Sequence, residues 1–154
     1  MIDKAIVQRL VVEKLENKMF LVDITVNERN VINIFIDSYD GLTIDQCVAV
    51  SRHVEHSLDR EEEDFELQVS SPGLSEKFKV KEQYFKYVSR LVEVVTSDDL
   101  KLEGTILEAD DEGITLETTA REIPEGHKKK QLVIKQHNFK YDEIKSAKAV
   151  ISFK

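Results

Sequence analysis

A chain of 154 residues, 41% hydrophobic and 34% charged, has the make-up of a globular protein and is too polar for a membrane protein. No apolar run approaches the roughly 18 residues that span a bilayer, and Met1 to Leu10 alternates polar and apolar residues, so neither a span nor an export signal is expected. The single cysteine, Cys47, excludes an intrachain disulfide framework and a zinc site built on paired cysteines, and points to a reducing cytoplasm.

Residues 3–18 carry Ile6, Leu10 and Leu15 at helical spacing behind Asp3, a natural N-cap, which predicts a first helix ending near Lys18. From Met19 to Asn27 the period changes to two. Phe20, Val22, Ile24 and Val26 are expected on one face of a strand, with Asp23 and Thr25 on the other. Asn27 to Asn30 supplies turn residues, and Ile32, Ile34 and Ile36 form a second, antiparallel strand. Thr43 and Gln46 have the spacing of a capping box, with Leu42 and Cys47 as its hydrophobic staple, and Cys47, Val50, Val54 and Leu58 make the buried stripe of a second helix. The acidic run Asp59 to Asp64 reads as a solvated loop. Phe65 to Ser70 alternates as a third strand, stopped by Ser71-Pro72-Gly73, the residues of a type II turn that would hold Gly73 at positive φ.

The second half is built differently. A short amphipathic piece, Glu82 to Tyr87, precedes five short strands: Leu91 to Thr96, Leu102 to Glu108, Ile114 to Thr118, Gln131 to Lys135 and Ala149 to Phe153. Asp110 to Gly113 reads as a hairpin turn and Arg121 to Lys130 as a longer exposed loop. The fold class is therefore α+β: an αββαβ domain over residues 1–80, with two helices on a three-stranded sheet, then a small SH3- or Sm-like β-barrel over residues 81–154.

Charge divides unevenly along this order. Residues 1–82 hold ten Lys+Arg against 17 Asp+Glu, a net of −7, while residues 127–154 hold eight lysines against Asp142 and Glu143, a net of +6. A charge is felt over about 8 Å at physiological salt, so a basic tail can meet phosphate although the whole protein is acidic, at −8. The same total argues against a general nucleic-acid coat protein.

Catalytic constellations are sparse. His53 and His56 sit three apart without an evident third metal ligand, and Cys47 falls on an apolar stripe where cysteine acts as a small hydrophobe. There is no phosphate-cradling glycine loop and no nucleophile elbow. No enzyme activity, metal or cofactor is expected.

The segment Phe65-Glu66-Leu67-Gln68-Val69-Ser70-Ser71-Pro72-Gly73-Leu74 resembles the signature of the RimP family, in which a strand ending Val-Ser-Ser-Pro-Gly-Leu joins an α/β domain to an Sm-like barrel. Ile36-Asp37, Gly41-Leu42, Asp45, Cys47, Ser51-Arg52, Leu58-Asp59, Gly104, Ile144, Ala147 and Phe153 also fit. The chain departs from the family at Ser75-Glu76-Lys77-Phe78, where Asp-Arg-Pro-Leu is common, and at Ser89, where glycine is usual. Lys77 is a point charge and cannot copy a guanidinium fork. The resemblance implies a non-enzymatic, cytoplasmic, monomeric factor that binds the free small ribosomal subunit late in its maturation, near the ribosomal protein numbered twelve and adjacent 16S rRNA. Asp37, Arg52, Ser70, Ser71, Pro72, Gly73, Leu74, Lys77, Lys128, Lys129 and Lys130 are the expected binding residues, with Lys135, Lys140, Lys145 and Lys148 as further phosphate contacts. Asp37 and Arg52 fit either surface contacts or a local clamp. The alternative reading is a generic Sm-like RNA-binding module, which would assemble as a ring.

Overall fold

In the computed structural model, residues 1–123, 125–126 and 128–150 are described. They contain three α-helices and two sheets, one of three strands and one of five, an α+β architecture. The chain divides into two units, Met1–Gly73 and Leu74–Lys154.

In the first unit, Asp3 caps helix α1 (Lys4–Lys14) by accepting the Ala5 N–H at 2.9 Å. The helix stops four residues short of Lys18, because a turn at Glu16, closed by Met19 N–H donating to its carbonyl at 3.0 Å, sends the chain into β1 (Met19–Val26). Val7, Leu10 and Val11 form its buried stripe, and Ile6 is left exposed. β1 pairs antiparallel with β2 (Val31–Ser38), and β2 pairs parallel with β3 (Glu66–Ser70) after the crossover through α2 (Ile44–Ser57). The capping box of α2 forms as its spacing predicts: Gln46 N–H donates to Thr43 Oγ1 at 3.2 Å, and Thr43 N–H donates to Gln46 Oε1 at 2.9 Å. Ile32, Ile34 and Ile36 of the central strand are fully buried with Val7, Val11, Val50 and Val54 of the two helices. Each such side chain contributes about 1.5–3 kcal/mol by leaving water.

The facing of β1 differs from expectation. A bulge between Leu21 and Asp23 sets Val22 and Asp23 against Phe35 alone. Leu21, Ile24 and Val26 join the helix-side core, while Phe20, opposite Asp37, lies on the other face with its ring 5.0 Å from Tyr39. One inserted residue thus splits a run of alternating apolar residues between two faces.

The acidic run is organised. Arg60 donates to Glu55 at 3.0 Å, to Asp64 at 2.9 Å and to the Phe65 carbonyl at 2.6 Å, and its guanidinium lies 4.1 Å from the centre of the Phe65 ring. Buried Asn30, at φ 58°, accepts the Ile2 N–H and donates to both the Glu63 carboxylate and the Asp64 carbonyl.

The second unit begins seven residues earlier than the 80/81 boundary read from the sequence. Phe78 accounts for this: its N–H donates to Ala147 at 2.7 Å, and its ring lies 5.1 Å from both Tyr84 and Tyr87. Helix α3 (Lys81–Lys86) is followed by β4 (Leu91–Thr96), β5 (Lys101–Ala109), β6 (Gly113–Glu122), β7 (Gln131–Lys140), a 3-10 turn (Tyr141–Glu143) and β8 (Ile144–Ala149). The antiparallel order is β7-β6-β5-β4-β8. Val92, Val94, Ile106, Leu116 and Tyr84 form the core, and burial pushes the Tyr84 hydroxyl up to about 12. The Asp110 turn forms as expected, with its carboxylate accepting the N–H groups of Glu112 and Gly113.

Three expectations change in this unit. β5, β6 and β7 are longer than predicted. Arg121 and Glu122 belong to β6 rather than to the loop, which is reduced to 123–130. The last strand among the described residues is Ile144–Ala149, and 151–153 of the expected Ala149–Phe153 strand lie outside them.

Candidate functional site

Four of the residues expected to bind sit where β3 ends. Ser70 pairs in register with Phe35, and Asp37 lies two residues farther along β2 on the same face, the one turned away from α1 and α2. The Asp37 carboxylate accepts the Ser38 N–H at 2.9 Å. Ser70 and Ser71 line a groove of about 430 Å³ beside the start of α2, together with Leu42, Cys47, Val48 and Val69. Ile44 also borders it and is 81% exposed, an apolar side chain held at the rim by the capping box that fixes the helix start. Burial pushes the Cys47 thiol above its ordinary value, so it remains protonated at neutral pH and serves as part of an apolar wall.

Pro72 is half-buried and Gly73 exposed. The type II turn does not form at these two residues: the turn lies at Leu74–Ser75, and the positive-φ glycines among the described residues are Gly41 and Gly126. Leu74 is 64% exposed and Lys77 is exposed. Arg52 is exposed on α2, which packs on the opposite side of the sheet from Asp37, so the two do not clamp one another. Among the described residues no three His, Cys, Asp or Glu side chains gather to hold a metal, and His53 Nε2 is buried without a hydrogen-bond partner. Among the described residues no helix is long and apolar enough to cross a membrane.

The charge division is sharper by structural unit than by sequence half. Residues 1–73 carry seven Lys+Arg against fifteen Asp+Glu, a net of −8, and residues 74–154 carry fifteen of each. Within the second unit the cations differ in availability. Lys135 pairs with Glu122 at 3.3 Å, Lys145 with Asp99 at 2.6 Å and Lys148 lies 3.9 Å from Glu93. Lys128, Lys129 and Lys130 are exposed and have no ion-pair partner among the described residues. Arg121 shares this property. Sequence reasoning passed over Arg121, having placed it in a loop. It also passed over Ile44, although an isoleucine at the first position after an N-cap faces solvent before the buried stripe begins.

Comparison with known proteins matches these features to one family. Residues 6–75 fit the family model described as the RimP N-terminal domain. A protein of Christiangramia forsetii named ribosome maturation factor RimP is 41% identical over 137 residues, 89% of each chain. The protein of the same name from Flavobacterium psychrophilum is 35% identical over 135 residues, 88% of this chain and 87% of its own. That of Porphyromonas gingivalis is 34% identical over 152 residues, 98% of this chain and all of its own. Similarity at this level across both units, over a chain that carries the Val-Ser-Ser-Pro-Gly-Leu segment with its Val69, Ser70 and Ser71 on the wall of the groove, means that the chain belongs to the RimP family.

Proposed function

We propose that this protein is a non-enzymatic, cytoplasmic maturation factor for the small ribosomal subunit, binding the free subunit as a monomer near the ribosomal protein numbered twelve and adjacent 16S rRNA. The observation that carries the reading is similarity to ribosome maturation factors along nearly the whole chain. Charge supports it. A unit at −8 complements a highly basic ribosomal protein, and its apolar groove beside Ser70 and Ser71 supplies a dry contact that charge alone lacks. The unpaired cations of the second unit suit rRNA phosphate. We read the second unit as an SH3- or Sm-like barrel, because its meander of strands returns through a 3-10 turn to pair β8 with β4.

Deleting the gene tests the proposal. Free subunits and small-subunit rRNA with unprocessed ends are expected to accumulate, and a normal ribosome profile with mature rRNA ends would overturn it. Sizing of the purified protein is expected to give a monomer that co-sediments with free small subunits; a six- or seven-membered ring would point instead to a generic Sm-like RNA binder.

A further inference from the structure

β5 pairs with β6 only as far as Thr105 opposite Glu117. Beyond that point β6 and β7 continue alone, from Thr118 opposite Lys135 to Glu122 opposite Gln131. A ribbon of two strands therefore runs past the edge of the five-stranded sheet and carries the 123–130 loop at its tip. Such a ribbon is marginal in water without a third layer. Leu132, Ile134 and Ile123 are nevertheless 65%, 59% and 57% exposed.

The two faces of the ribbon are unlike. Glu122 and Lys135 neutralise each other on the face that continues the core side, where Ile114 pairs with Phe139. The opposite face pairs Arg121 with Leu132 and Thr119 with Ile134, and Arg121 has no ion-pair partner among the described residues. With the tip included, residues 118–135 hold five cations and two anions in a protein whose total is −8.

We infer that the β6–β7 ribbon is an RNA-binding arm that lies along helical rRNA, with Arg121, Lys128, Lys129 and Lys130 on phosphates and Leu132 and Ile134 covering the sugar edges between them. The inference rests on the ribosomal reading above and adds to it the element, the face and the form of RNA. Helical RNA is favoured because the paired segments 118–122 and 131–135 contain no aromatic side chain on which to stack an unpaired base. The wide, shallow minor groove of an A-form helix is recognised by shape and phosphate instead.

Binding of the full chain to purified free small subunits, and separately to a protein-free 16S rRNA transcript, is measured across a range of salt. Combined R121Q, K128Q, K129Q and K130Q is expected to lower the slope of log K against log salt by about three and to weaken binding by about tenfold or more on both probes. L132T with I134T is expected to weaken binding severalfold with the slope unchanged. Both variants alter exposed positions, and unchanged melting curves verify folding. Wild-type binding with an unaltered slope in the charge variant overturns the arm and leaves the ribosomal reading standing, whereas failure of the wild type to bind subunits overturns both. A concentration-dependent dimer of the wild type that L132T/I134T abolishes would show the ribbon to be a self-association edge, and a charge-variant defect on subunits but not on the transcript would show its partner to be protein.

Discussion

Asp59 to Asp64 and Lys128 to Lys130 look alike in the sequence, each a run of charge between two elements, and the structure treats them oppositely. In the acidic run Asn30 holds the Glu63 carboxylate and the Asp64 carbonyl, and Arg60 holds the Asp64 carboxylate and the Phe65 carbonyl that follows it. The lysine run stands at the end of a ribbon with no counter-charge among the described residues. A charge run is structural when opposite charges and buried donors lie within reach, and is otherwise available to a partner.

The largest expected effect falls on the acidic side. Asn30→Ala removes three hydrogen bonds and places a Cβ-bearing residue without a polar side chain at φ 58°, which should cost about 3–4 kcal/mol in urea unfolding. Asn30→Gly relieves the backbone and keeps only the hydrogen-bond part of the loss. Equal losses in the two variants would mean that the left-handed backbone contributes nothing. Next comes the root of the ribbon. A Cβ at Gly104 would overlap the Glu117 carbonyl oxygen, so Gly104→Ala is expected to cost about 2–3 kcal/mol in the same measurement. A neutral result would mean that β5 and β6 part before Glu117.

Smaller effects follow with pH. Glu63 is held below its ordinary 4.5 by the chain's α-amino group and by Asn30, and Asp64 below 3.8 by the Phe65 N–H and Arg60. Depressed carboxylates stabilise the folded state fully above those ordinary values and lose that contribution as pH falls through the lower, folded ones. Asp64→Asn should therefore flatten the acid limb of a melting-temperature profile and change the neutral plateau less than the limb; an unchanged limb would return the run to a solvated loop. The smallest effect is expected for Lys128, Lys129 and Lys130 changed together to Gln, with melting temperature and urea midpoint unchanged. A clear shift in either would give the lysine run a structural role and break the contrast.

Much of this was legible in the sequence because local rules and tertiary packing agree. The capping box at Thr43, the period of β2 and the Asp110 turn each need only neighbouring residues to specify them. What escaped depends on distant residues. The bulge at Val22–Asp23 leaves the local apolar pattern intact and shows itself only against Phe35. β6 outran its expected length through Thr119–Glu122 and β7 through Gln136–Lys140, segments that are mostly polar, so strand pairing there follows the partner rather than burial. Ile144–Ala149 was passed over as a strand because its buried residues are Ala147 and Ala149, small side chains with little strand preference of their own. At the candidate site the Ser70–Ser71 position could be read, but not the groove, since Leu42 and Val48 approach Val69 only through the α2 crossover.

The place of β4 in the second sheet bears on how the chain is made. Its neighbours are β5, which follows at once in synthesis, and β8, which begins some fifty residues later. A nascent chain can complete the first unit as soon as β3 has emerged, yet one edge of β4, with buried Val92 and Val94 on the strand, waits open until β8 is translated. That interval is when the second unit is most exposed to mispairing. The hydrophilic Ile-Lys-Ser-Ala-Lys-Ala sequence of β8 suits a strand that must stay unpaired in water and then dock last.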